Sequence, residues 1–150
     1  MVFFRNILIT TDLSEYSLAA LEYAFTLGLL FGARLILLHV AEHGQYKSEA
    51  IAAAELEEFA ARNIDPRLKP ELAVRTGHAA ERIRDFAREE GMDLIVMATH
   101  GRSGLKHAVM GGVAQKVVRL STVPVLMVKP RAVRDSLLRF ADVERELHLL

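Results

Sequence analysis

Four glycines, Gly101, Gly104, Gly111 and Gly112, fall within twelve residues of the stretch DLIVMATHGRSGLKHAVMGGVAQKVV, residues 93–118. The stretch opens on an apolar run, Leu94 to Ala98, of the length of a fully buried parallel strand. After Gly111-Gly112 it carries Val113, Val117 and Val118, read as one face of an amphipathic helix. A strand that empties into a glycine-bearing loop and then a helix start presents backbone N–H groups and a positive helix end to an anion. Phosphate is the first ligand to consider, because glycine allows positive φ and close approach of a ligand. Arg102 and Lys106 add positive charge suited to phosphate oxygens. Neither G-x-x-x-x-G-K-[ST] nor G-x-G-x-x-G occurs. The plain alternatives are an ordinary strand-to-helix connection with two solvated loop cations.

Other polar residues are weighed in the same way. Asp12, in Thr11-Asp12-Leu13-Ser14, is the acidic residue best placed to serve a ligand. With Glu15 three residues on it also suits a helix cap, as does Ser14 itself, and a carboxylate has acceptor sites enough for both roles. His100 ends the organising strand, where it donates to a phosphate or orients the loop. His39 reads as a satisfied core residue, and His43, His78, His107 and His148 show no metal-ligand spacing with one another. The absence of cysteine removes disulfides, thiolate chemistry and cysteine zinc sites. No nucleophile and no general base can be argued from spacing, so fast catalysis is not expected and slow hydrolysis of a bound phosphate ester is the most the loop suggests.

These residues carry a resemblance. The segment resembles the phosphate loop of the universal stress protein family, whose nucleotide-binding members have Gly-x-x-Gly, nine residues, then Gly-Ser or Gly-Thr. The matching positions are Ala98, Gly101, Gly111 and Gly112, with the spacing intact; Ala98 replaces a glycine and Gly112 the hydroxyl residue. The resemblance spans roughly residues 2 to 129 and includes ILITTDLSEYS, LILLHV, MATHGRSGL and VPVLMVK in family order. It implies ATP, with Mg²⁺ but no protein metal site. It places Asp12 in the adenine and ribose pocket beside a backbone group of Val40, with Thr10 where the family often has proline. Met97 would wall the base, though core packing explains it equally. The phosphates would lie on amides of Gly101 and of Gly111 to Val113, near His100 and Arg102.

The elements that must position these residues follow from periodicity. The chain of 150 residues, half apolar and a quarter charged, fits one globular domain that buries on the order of 70% of its unfolded surface. Lys plus Arg equals Asp plus Glu at 19 each, so no global field recruits nucleic acid or an anionic membrane. The start, MVFFRNILIT, lacks the marks of a targeting segment, no run reaches the eighteen apolar residues of a spanning helix, and a cytoplasmic protein is expected. Strands are expected over Val2–Thr10, Leu35–Val40, Glu71–Arg75, Leu94–Ala98 and Pro124–Lys129. Helices are expected from Ser14 to about Leu30, Lys47–Asn63, Ala79–Glu90 and after Gly111, with stripes Leu18-Leu21-Phe25-Leu29 in the first and Ala79-Ile83-Phe86-Ala87 in the third. Strict β-α alternation gives an α/β fold, a single open parallel sheet of five strands with helices on both faces. The resemblance implies order 3-2-1-4-5, with the crevice at the strand reversal.

Residues 1–130 form the expected domain and 131–150 a helical tail, with Val133, Leu137, Phe140, Val143 and Leu147 as its apolar stripe. Family members commonly dimerise through the last strand, so a homodimer, supplemented by the tail, is expected. The overall expectation is an ATP-binding, dimeric stress-response module with little or no turnover. A scaffold dimer that binds no nucleotide, or an adenylyl-transferring enzyme, are the alternatives. Gly111→Val is expected to abolish nucleotide binding with the fold intact, and unchanged affinity in a calorimetric titration is the contrary result.

Overall fold

The period of two in each apolar run decides which way its side chains face. Ile7, Ile9, Leu37, Leu94 and Val96 point to one face and Leu8, Ile36, Leu38, Ile95 and Met97 to the other, all buried. Strands apolar on both faces must be covered on both, which is the habit of parallel sheets. In the computed structural model, which describes residues 1–100 and 110–129, these runs become β1 (Asn6–Thr11), β2 (Arg34–Ala41), β3 (Glu71–Thr76), β4 (Leu94–Ala98) and β5 (Val125–Val128). They pair in parallel in the order β3-β2-β1-β4-β5. Helices α1 (Leu18–Phe31) and α2 (Glu49–Asn63) cover the first face, and α3 (Ala79–Glu89) and α4 (Gly112–Leu120) the second. No helix among the described residues is long and apolar enough to cross a membrane.

Several boundaries and faces differ from expectation. β1 starts at Asn6 rather than Val2, because Asp93 Oδ2 accepts the amides of Arg5 and Asn6 at 2.8 Å each and so fixes where the ladder begins. Phe3 and Phe4 instead meet Phe31 edge-on, with ring centroids 6.4 and 5.3 Å away. α1 buries Ala20, Leu21, Ala24 and Phe25 while Leu29 stays exposed, since small residues let the helix lie close to the sheet. In α3 the core residue is Ala80 rather than Ala79. α4 buries Ala114 and Val117 and exposes Val113 and Val118; its contact face is turned by one residue from the expected one. The expected tail, 131–150, lies outside the described residues.

One ion pair ties the two helices of the second face together. Lys116 Nζ of α4 donates to Glu81 Oε1 of α3. That hydrogen bond holds the Glu81 carboxyl below its ordinary range. A depressed folded-state value stabilises above the unfolded value and loses the contribution as pH falls through the folded one. Glu81→Gln is therefore expected to lower the melting temperature slightly at neutral pH, with the gap to wild type closing below about pH 4. A gap that persists unchanged in acid would contradict the pairing.

Candidate functional site

Every strand delivers its C-terminal end to the same edge of the sheet, and there, on the α3/α4 face, lies a cavity of about 630 Å³. Its apolar part comes from the second-face pattern continued: Leu38, Val40 and Met97 from the strands, Ile83 from α3 and Ala114 from α4. Its polar part comes from strand ends and helix start. Thr10, Asp12, Ala98, His100, Gly111, Gly112 and Val113 all border it, so the structure brings together each described residue singled out from the sequence. Gly101, Arg102 and Lys106 lie outside the described residues.

The turn after β1 aims Asp12. Its Oδ1 accepts the Ser14 amide at 3.0 Å and the Ser14 hydroxyl as well, an Asx-type turn in place of the expected capping box. Ser14 precedes the 3-10 turn Glu15–Ser17 without a side-chain cap bond, its hydroxyl turned to Asp12. Thr11 Oγ1 accepts the Leu13 amide at 2.9 Å and pairs with Ser17 Oγ at 2.8 Å. Leu13 sits at φ 67°, a conformation that costs an ordinary residue roughly 1–2 kcal/mol and persists where neighbours over-determine it.

The start of α4 is fixed by one backbone bond. Gly111 N–H donates to Thr99 O at 2.8 Å, and Thr99 N–H to Val128 O at 3.0 Å. The first bond along the helix is Gln115 N–H to Gly111 O, at 3.0 Å, so the first-turn amides are those of Gly112, Val113 and Ala114. This shifts the anion-facing amides by one residue: Gly111, expected among them, is spent on Thr99, and Ala114, not singled out from the sequence, joins. Gly111 has φ −60°, open to any residue, but a Cβ there would stand 3.2 Å from Thr99 O. Close backbone approach, not positive φ, is what requires glycine. Around Gly112 a Cβ would meet nothing within 4 Å. His100 Nδ1 pairs with Thr99 Oγ1 at 2.8 Å.

Sequence reasoning passed over the loop Glu42–Gln45, which closes the β2 side of the cavity, and also Thr99 and Ala79. Gly44, at φ 82°, lets the chain turn there, but nothing in the periodicity says which way a turn folds. Among the described residues, no group of three or more His, Cys, Asp or Glu could hold a metal ion.

The Gly111 geometry changes one expectation. Gly111→Val presses a branched side chain on a backbone carbonyl, so it should cost about 1–3 kcal/mol of stability rather than leave the fold intact. Gly112→Ala should stay within about 0.5 kcal/mol of wild type. Urea denaturation of both variants checks this, and equal stabilities would refute it.

Comparison with known proteins agrees with this geometry. Residues 3–129 match the model of the universal stress protein family. The universal stress protein MJ0577 of Methanocaldococcus jannaschii is 31% identical over 156 residues, covering 85% of this chain and 96% of that protein. Its solved structure superposes with a TM-score of 0.69 at 30% identity, over 87% of this chain and 99% of that one. A universal stress protein solved in complex with cAMP has a TM-score of 0.66 at 24% identity, covering 87% of this chain and 100% of that one. One from Archaeoglobus fulgidus solved with dAMP has 0.60 at 21%, covering 86% and 100%; both speak for the fold. With the family model spanning nearly all of a five-stranded parallel domain ordered 3-2-1-4-5, this chain belongs to the universal stress protein family.

Proposed function

We propose that the chain binds an adenine nucleotide, ATP with Mg²⁺, in this cavity and acts as a dimeric regulatory module with little or no turnover. The observation that carries the reading is the joining, in one cavity, of an apolar cleft to the first-turn amides of a helix. Val40 and Met97 offer apolar walls for a flat base. The Asp12 carboxylate offers acceptors for ribose hydroxyls or an exocyclic amine. Amides of Gly112, Val113 and Ala114, at the positive end of α4, suit phosphate oxygens. The volume lies within the roughly 300–1,000 Å³ of small-molecule sites. The two family structures solved with cAMP and dAMP favour adenine as the base.

Mg²⁺ would ride on phosphate oxygens and water, as that ion commonly does. Among the described residues β5 pairs only with β4 and leaves Val125, Leu126 and Met127 half-buried; this supports a homodimer through the last strand, with the 131–150 tail adding to it. Binding of the nucleotide would change the face a partner meets.

Gly112 forgoes the hydroxyl of the family motif, and Ala98 adds a methyl beside the cleft; both favour a second reading, a scaffold dimer that takes no nucleotide. The magnitudes favour binding. One hydrogen bond to a charged group is worth about 1.5–3 kcal/mol, against three backbone amides and the helix end that remain.

Mass spectrometry of small molecules released by denaturing the purified protein, then calorimetry with AMP, ADP and ATP plus Mg²⁺, separates the readings. Recovered adenine nucleotide or micromolar affinity is expected. Asp12→Ala should weaken binding about tenfold, and Gly112→Ser should tighten it by a similar factor. Neither nucleotide nor heat, in wild type and in Gly112→Ser alike, leaves the scaffold reading.

A further inference from the structure

Along the β2 side of the cavity, which Thr11, His39, Glu42 and Gln45 border, runs a polar chain that the binding reading does not use. His39 is 2% exposed and stands opposite Thr11 in the β1–β2 register. Its ring meets Tyr46 edge-on at 5.8 Å, and Tyr46 packs against the α1/α2 core. Nδ1 lies 3.0 Å from Thr11 O and Nε2 3.2 Å from the Tyr46 hydroxyl. A carbonyl only accepts, so Nδ1 carries the hydrogen, and Nε2 of the neutral ring accepts from Tyr46. Gln45 Nε2 donates to the Tyr46 oxygen at 3.4 Å, and Gln45 Oε1 accepts the Glu42 amide at 3.1 Å. Every donor thus runs one way, from the Glu42 amide through Gln45, Tyr46 and His39 to Thr11 O. Bonds aligned head to tail polarise and strengthen one another.

The chain ends on a peptide plane. Thr11 O and the Asp12 amide belong to one rigid unit, so holding the carbonyl sets the direction in which Asp12 begins. The next residue, Leu13, is already held at φ 67°, and a rotation of the Thr11–Asp12 peptide would change the φ with which Asp12 leaves the strand and strain the turn that aims its carboxylate. Such a rotation would also take Thr11 O from His39 Nδ1, stripping a buried donor of its acceptor, an outcome that opposes it.

We infer that His39, itself set by Tyr46, is a positioning residue for Asp12: it locks the Thr11–Asp12 peptide through the Thr11 carbonyl and couples the 42–46 loop to the β1 turn. Two walls of the cavity then hold their geometry together. The consequence for nucleotide affinity rests on the binding proposed above; the positioning itself does not.

The test uses the full chain and two readouts. Hydrogen exchange of the Asp12 and Ser14 amides, followed by NMR, should be roughly tenfold faster in His39→Leu, which removes both bonds. It should stay near wild type in His39→Asn, whose amide nitrogen can stand where Nδ1 stood, and rise modestly in Tyr46→Phe, which removes one hydroxyl. Tyr46→Phe should also move the imidazole ¹⁵N signals of His39, and it carries the test alone if His39→Leu does not fold. Exchange unchanged at Asp12 and Ser14, or raised equally throughout the domain, overturns the inference. In the second readout, His39→Leu should weaken AMP binding roughly 5–15-fold with Asp12 present and less than about twofold in an Asp12→Asn background. Losses that simply multiply would overturn it. A wild type that binds no AMP defeats the binding reading alone, and the exchange readout still decides the positioning.

Discussion

The constraint on which the rest of the structure depends is the reversal of winding at β1. From β1 the chain steps to β2 and β3 under α1 and α2, then crosses back to β4 and β5 under α3 and α4. Connections leaving β1 and β4 in opposite directions cannot fill the space above the strand ends between them, and a crevice opens there. The cavity is therefore a product of topology. Its apolar floor is the second-face core pattern of Leu38, Val40 and Met97 carried to the end of the strands, where no further helix covers it.

Topology alone would leave a ragged edge of unpaired polar groups, and the local chemistry settles that edge. Thr11, Ser17 and His39 are buried beside the cavity, and no described buried side-chain nitrogen or oxygen lacks a partner. The Gly111–Thr99 bond docks the start of α4 against the end of β4, so the amides of the first turn and the apolar cleft keep a fixed relation. Two rigid ends with an adaptable space between them are what a ligand with an apolar head and an anionic tail requires.

Much of this was legible in the residues, for reasons that differ by element. β1, β2 and β4 could be read because each is a short apolar run buried on both faces, while the edge strands β3 and β5 are less buried; β-α alternation then left one class of fold. Asp12 and the glycine pair were placed at the crevice because strand ends must meet at one edge of a parallel sheet, whereas Val40 and Met97 were named only through the resemblance to the family. The phase of α4 was not legible. Val113, Val117 and Val118 satisfy hydrophobicity, yet with the helix start held by the Thr99–Gly111 bond it is Ala114 that joins Val117 in the core, while Val113 and Val118 are exposed. The start of β1 was hidden for a similar reason: Phe3 and Phe4 have strand propensity, but Asp93, 87 residues from Asn6, fixes where pairing begins. The loop at Glu42–Gln45 and the role of His39 depend on hydrogen bonds between segments, which no single window of sequence contains.

The most direct test of the account is a crystal structure of the chain grown with AMP. The account places the base between Val40 and Met97, with Asp12 at the sugar or base edge and the phosphate on the amides of Gly112 to Ala114. A nucleotide bound elsewhere, or a cavity empty at saturating AMP, would contradict it.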